Sequence, residues 1–185
     1  MDKTFENKNF KKVDSLEKGE YENCVFSECN FSDKDFSHFI FMNCEFVKCN
    51  MSMLKVVNTT FSEIKFVDCK LLGIKFTNCN DFNIDFSFEN CILDFSDFSK
   101  LKIKDTSFTK CKMHEVNFVN SELNNSIFDD CDLLKTIFVK TNLTWSDFSN
   151  SYNYALDPEE NILKKAKFSL EGLPWLLLKY GIKVR

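Results

Sequence analysis

The residues of this chain that could do chemistry are nine cysteines, two histidines and a spread of carboxylates. Cysteine is the most regular. Cys24-x4-Cys29 and Cys44-x4-Cys49 open a series that runs on through Cys69, Cys79, Cys91 and Cys111 to Cys131. Thiols hold zinc when they stand about two to four residues apart and histidines complete the set. His38 and His114 fall at outward positions on different sides, so neither metal nor cofactor is expected, and the thiols read as small buried packing residues. Catalytic residues are expected to be none: there is no Gly-rich phosphate loop, no Ser/His/Asp arrangement and no HExxH. The acids are scattered rather than gathered around a cleft for a small-molecule substrate.

Composition sets further bounds. A length of 185 residues fits one domain, and 44% apolar residues are enough for a core. A net charge of −4 argues against direct nucleic-acid binding. No apolar run approaches the roughly 18 residues of a membrane span. The start, Met1-Asp-Lys-Thr-Phe-Glu-Asn-Lys, has no apolar signal core. A cytoplasmic setting with reduced thiols is the expectation. The chain has 22 Phe but only 4 Gly and 2 Pro, so ordinary Gly/Pro turns cannot punctuate it.

The element that must position these residues is a five-residue beat. Large apolar residues recur at Phe26, Phe31, Phe36, Phe41, Phe46, Met51, Val56, Phe61, Phe66, Leu71 and Phe76. After a break the beat resumes at Leu93 and runs through Phe98, Ile103, Phe108 and Met113 to Phe148. A period of five fits neither helix nor strand. With the central apolar residue as i, position i−2 is small or medium, and all nine cysteines fall there. Positions i−1, i+1 and i+2 are mostly Asn, Ser, Asp, Lys, Thr and Glu.

Units such as Cys-Glu-Phe-Val-Lys (44–48), Cys-Asn-Phe-Ser-Asp (29–33), Cys-Asp-Leu-Leu-Lys (131–135) and Ser-Asp-Phe-Ser-Asn (146–150) resemble the pentapeptide-repeat family over about 125 of the 185 residues. The resemblance implies an all-β fold, a right-handed quadrilateral β-helix with four pentapeptides per coil. Residues 20 apart should then stack at about 4.8 Å. One face reads Phe26, Phe46, Phe66, Phe86, Phe108, Phe128, Phe148. The next is Phe31, Met51, Leu71, Leu93, Met113, Leu133. The third is Phe36, Val56, Phe76, Phe98, Phe118, Phe138. The fourth is Phe41, Phe61, Asp81, Ile103, Leu123, Leu143. Behind the second face Cys29, Cys49, Cys69, Cys91, Cys111 and Cys131 form a column with parallel Cβ vectors, too far apart for disulfides. Its one step of 22, from Cys69 to Cys91, places a two-residue register break at 80–90, with Asp81 displaced outward and Phe82 or Phe88 as the extra apolar residue.

Three segments follow: a cap strand at 1–20, a β-helix of roughly six coils at 21–150, and a cap with a helix at 151–185. Past Phe148 the tail leaves the pattern. Asp157-Pro158-Glu159-Glu160 reads as a short helical turn. Asn161 to Phe168 reads as an extended edge. Ser169 can cap a helix through Leu170 to Tyr180, stopped by Gly181 and bent at Pro174. Leu173, Trp175, Leu176, Leu177, Leu178 and Tyr180 make that helix apolar almost all round, which predicts a homodimer joined at its C-terminal end.

Charge is uneven around the coil. The all-Phe face carries Glu28, Glu45, Asp68, Asp85, Asp129, Asp130 and Asp147 against Lys48, Lys65 and Lys110. The third face carries Asp35 and Asp97 against Lys55, Lys75, Lys100 and Lys140. Phe-Ser-Phe-Glu-Asn-Cys (86–91), Asp-Pro-Glu-Glu-Asn (157–161) and Leu-Leu-Leu-Lys-Tyr-Gly-Ile-Lys-Val (176–184) are similar to the Qnr, MfpA and McbG group of that family. The resemblance implies a dimeric rod that imitates duplex DNA, binds the type II topoisomerases DNA gyrase or topoisomerase IV, and protects them from quinolones or peptide toxins. No insertion of the size that forms projecting loops in Qnr proteins is present. A second reading stays open, a scaffold that binds some other protein.

Overall fold

In a computed structural model of the protein, residues 3–182 are described. The fold is a right-handed parallel β-solenoid of four walls with a short helix at its C-terminal end. The strands are β1 (Lys3–Glu6), β2 (Asn9–Lys11), β3 (Gly19–Glu22), β4 (Val25–Ser27), β5 (Ile40–Met42), β6 (Glu45–Val47), β7 (Thr60–Ser62), β8 (Ile64–Val67), β9 (Phe86–Glu89), β10 (Ser107–Thr109), β11 (Ile127–Asp129), β12 (Asp147–Phe148) and β13 (Lys167–Phe168). Nine of them, β2, β4, β6 and β8 to β13, stack in parallel as one wall. Each of its neighbouring pairs aligns one phenylalanine on the next. Phe26 lies over Phe46, with ring centroids 4.6 Å apart, and Phe128 over Phe148 at 4.5 Å. A fully buried ring contributes about 2–3 kcal/mol.

The turns answer the scarcity of glycine. Residue i+2 of nearly every unit takes a left-handed conformation, as at Asn23, Glu28, Asp33, His38 and Asn43. Its N–H donates to the coil above, Glu28 to Val47 O at 2.9 Å and His38 to Val57 O at 2.9 Å. Repeated ladder bonds therefore hold a backbone that non-glycine residues otherwise avoid.

Position i−2 also has a chemical reason. Its short side chain donates to the carbonyl of residue i in the coil before. Thr59 Oγ1 donates to Phe36 O and Ser146 Oγ to Leu123 O, both at 2.7 Å. Cys69 Sγ reaches Phe46 O at 3.2 Å and Cys131 Sγ reaches Phe108 O at 3.3 Å. All nine thiols are free and buried. Burial pushes the Cys44 thiol up to about 11 and the Cys79 thiol to about 12.

Several expectations are corrected. Phe86 is not in the all-Phe ladder: Phe66 aligns with Phe88, and Phe86 with Ile64. The two extra residues thus lie before Phe86, where Phe82 is 78% exposed. The coils do not begin at 21, since Phe5 aligns with Tyr21 and Phe10 with Phe26, a short step of 16 residues. Nor does the pattern stop at Phe148: Ile162 bridges to Asn142, and Phe168 aligns with Phe148. The nine stacked strands make a rod about 38 Å long, taller than six coils. The terminal helix is broken into α1 (Leu173–Leu176) and a tight turn at Leu178–Tyr180 that ends on left-handed Gly181. Pro174, which has no N–H to donate to Leu170 O, sits in the first turn of α1 and keeps the helix from starting at Leu170, and Trp175 and Leu176 pack against the core.

Candidate partner surface

The wall outside the stacked phenylalanines is built by three outward residues of each unit. The ladder fixes which ones. Lys65 aligns with Ser87 and Val67 with Glu89, so Glu89 stands on this wall and Asp85 sits in the bulge before it. The cysteines carry the signal that finds Glu89: the wall phenylalanine stands three residues before each one, Phe66 before Cys69, Phe88 before Cys91, Phe108 before Cys111.

The acids differ in their surroundings. Glu28 is held by Lys11 at 3.2 Å and Lys12 at 3.3 Å, and these lysines draw its carboxyl below the usual range. Glu45 meets Lys65 at 3.6 Å, and Asp147 meets Lys167 at 3.1 Å. Asp68 instead accepts from Asn90 Nδ2 at 2.6 Å, and Asp129 from Asn150 Nδ2 at 2.7 Å. Among the described residues, the ion pairs do not include Asp68, Glu89, Asp129 or Asp130. The acids without a close ion pair therefore lie between Asp68 and Asp130, a stretch that also carries Lys110 near Asp130, and the acids toward the two ends of the wall have lysine partners.

On the adjoining wall His114 is partly buried, not free in solvent. Its Nε2 donates to Asp132 Oδ2 at 2.7 Å, and Asn153 Nδ2 donates to Asp132 Oδ1 at 2.8 Å. Asp94, 7% exposed, accepts from His114 N at 2.9 Å and pairs with Lys112 at 3.0 Å. This polar network ties successive coils together.

At the C-terminal end Leu173, Leu178 and Tyr180 are 42%, 53% and 51% exposed. Trp175, Leu176 and Leu177 are half-buried. Lys179 Nζ clamps this end onto the 157–160 turn, reaching Asp157 Oδ1 and Glu159 Oε2, both at 2.6 Å. The Tyr180 hydroxyl donates to Glu159 Oε1 at 2.7 Å. No helix among the described residues is long and apolar enough to cross a membrane.

A family pattern described as a pentapeptide repeat region matches residues 20–87 and again residues 84–153. The chain belongs to the pentapeptide-repeat family. Two solved structures share its fold from end to end, both trypsin-treated forms of QnrB1, described as a plasmid-mediated fluoroquinolone resistance protein. The first has a TM-score of 0.66 at 18% identity and covers 98% of this chain and 97% of its own. The second has a TM-score of 0.65 at 19% identity and covers 100% of both. At that identity the likeness is one of fold. No curated protein matches the chain in sequence.

Proposed function

We propose that the chain is a non-enzymatic, Qnr-like binding rod that engages a type II topoisomerase, DNA gyrase or topoisomerase IV, through its acidic wall. The observation that carries this reading is the run of acids without close ion pairs from Asp68 through Glu89 to Asp129 and Asp130, on one wall of stacked parallel strands. A negative stripe of this kind suits a surface that otherwise holds DNA. The end-to-end likeness of fold to QnrB1, whose description names fluoroquinolone resistance, supports the same direction. On this reading two copies join through the apolar C-terminal end, around Leu173, Leu178 and Tyr180, so that the acidic walls extend one another. The protein then acts in the cytoplasm and shields its partner from a quinolone or a peptide toxin.

The test is a supercoiling assay with DNA gyrase, with and without a fluoroquinolone, alongside direct binding. The wild-type protein should bind gyrase and restore supercoiling in the presence of drug. Asp129→Lys with Asp130→Lys should abolish both effects without unfolding the rod, the loss of the Asn150 hydrogen bond to Asp129 lowering the melting temperature only slightly. No influence on supercoiling, rescue or binding at stoichiometric excess sinks the reading.

A further inference from the structure

The wall two faces away from the acidic one contains a break in its backbone ladder. Along this wall Asp35 bridges to Lys55, Lys75 to Asp97, Asp97 to Asn117 and Asn117 to Ile137. Among the described residues the missing link in that series is Lys55 to Lys75. One coil below, the bonds are regular: Lys55 N donates to Lys34 O at 3.0 Å and Phe36 N to Lys55 O at 2.9 Å. Above the break the register slips by one residue, because Thr77 N, rather than Phe76 N, donates to Asp97 O at 3.1 Å. The chain winds into a short 3-10 turn at Phe76–Asn78 to make that slip. Regular pairing would set two ammonium groups directly opposite each other, which a ladder disfavours.

The two coils part there, leaving a cleft of about 230 Å³ with Gly73 in its lining. Leu54 and Val56, 3% and 2% exposed, lie at its base, and Met53 and Val57, 58% and 41% exposed, stand at its rim. Lys55 and Lys75 flank it, both exposed, and the ion pairs among the described residues involve other lysines. The Val56 and Lys75 N–H groups, which regular pairing would occupy, have no backbone acceptor among the described residues.

The neighbouring corner is apolar as well. Met53 and Phe95 both adopt left-handed backbone, at φ 58° and 63°. Most such corners carry Asn, Asp, Glu or Lys, which tolerate both the conformation and the solvent. Phe95 is 58% exposed and stands one coil above Gly73, whose N–H donates to Asp94 O at 2.9 Å. Large apolar side chains here add little to the core; Met53 lines the cleft itself, and Phe95 stands one coil above the Gly73 that lines it.

We propose that this cleft is the docking site for an extended acidic peptide segment of a partner protein. One large apolar side chain of the segment enters the cleft between Leu54 and Val57, and flanking carboxylates meet Lys55 and Lys75. The volume suits a single side chain and falls short of the roughly 300 Å³ at which sites for free drug-sized ligands begin. The lysines select acid over base, and the break in the ladder makes this the place on the wall where, among the described residues, Lys55 and Lys75 do not pair through their backbones. The rod thus carries a second interaction surface, opposite in charge to its acidic wall and independent of what that wall binds.

Fluorescence anisotropy with three labelled peptides tests this: Asp-Glu-Phe-Leu-Asp-Glu, its charge-inverted form Lys-Arg-Phe-Leu-Lys-Arg, and the apolar-free Asp-Glu-Gly-Ser-Asp-Glu. The first should bind about tenfold or more tighter than either other peptide. Lys55→Glu with Lys75→Glu should remove that preference, while Lys110→Glu, on the acidic wall, should keep it. Amide chemical shifts of the wild-type protein should move at Val56, Val57 and Lys75 on addition of the first peptide, a readout that does not depend on how the variants fold. Equal binding of all three peptides, an unchanged preference in the double variant, or shifts confined to another wall overturns the proposal. So does self-association at this wall without peptide, which would assign the cleft to a second copy of the chain.

Discussion

The ring of Phe86 stands 5.7 Å from that of Phe61, although a twenty-residue step from Phe61 lands on Asp81. Phe86 also lies 5.4 Å from Phe76 and 6.1 Å from Phe66. A ring from the i−2 position of one wall thus reaches into the gap left where the next ladder has an exposed acid in place of an apolar residue. The two-residue insertion costs the core little for this reason. Phe86→Ala should destabilise the chain by about 3–5 kcal/mol, the range for a large cavity in a core that cannot collapse. Phe82→Ala, at the exposed tip of the same bulge, should stay within about 0.5 kcal/mol of wild type. Urea denaturation of the two variants checks both values.

The thiols should be inert while the chain is folded. All nine are buried out of reach of a reagent, and burial also raises the Cys44 and Cys79 thiols, so that almost no thiolate is present at those two near pH 7. A small thiol reagent should titrate the native protein slowly, then all nine cysteines at once in denaturant. Because the column continues from Cys131 to Ser151, whose Oγ donates to Phe128 O at 2.7 Å, Cys131→Ser should fold normally. Cys131→Val, which has no donor for Phe108 O, should lower stability by about 1 kcal/mol.

Asp132 should contribute stability near neutral pH that is lost on the acid side. Burial pushes its carboxyl up, but hydrogen bonds from His114 and Asn153 outweigh that and hold it below the usual range. A depressed folded value gives stability that is present above the unfolded value of about 3.9 and is lost as pH falls through the folded value. Melting temperatures measured from about pH 5 down to pH 2 should therefore drop less in Asp132→Asn than in wild type.

Gly172 should tolerate no side chain. A Cβ there would run into the hydroxyl oxygen of Tyr154, which is fully buried and has no hydrogen-bond partner among the described residues. Gly172→Ala should loosen the C-terminal cap and speed limited proteolysis after residue 168. Adding Tyr154→Phe should restore protection only in part, since it removes the clashing oxygen but leaves the ring carbon Cζ 2.9 Å from that Cβ. Tyr154→Phe alone should be neutral or stabilising by about 1 kcal/mol, because it relieves an unsatisfied buried hydroxyl.

The fold was legible because a solenoid is nearly one-dimensional: each coil contacts its neighbours, so periodicity in the chain becomes a ladder in space. The column from Cys29 to Cys131 was readable for that reason, and so was the 22-residue step within it. Where the repeat is imperfect the reading slipped. Phe86 and Phe88 are both apolar, both flank Ser87, and both fit the beat, Phe86 as a step of 20 from Phe66 and Phe88 as a step of 20 to Phe108. Only the alignment with Ile64 and Phe66 separates them, and with it Glu89 moves onto the wall and Asp85 off it.

The sequence by itself determined the repeat, the inward and outward positions, the uneven charge around the coil, and the need for a cap at the C-terminal end. Those follow from side-chain type and spacing, which are local. The tertiary structure alone decided which acids keep a lysine beside them, that the terminal helix is broken and clamped by Lys179, and that the coils part between Lys55 and Lys75. Each of these depends on a residue about twenty positions away in the next coil, through ion pairs and ladder bonds of 2.6 to 3.6 Å. A local pattern does not carry that information, because one residue of slip in a coil changes which side chains meet.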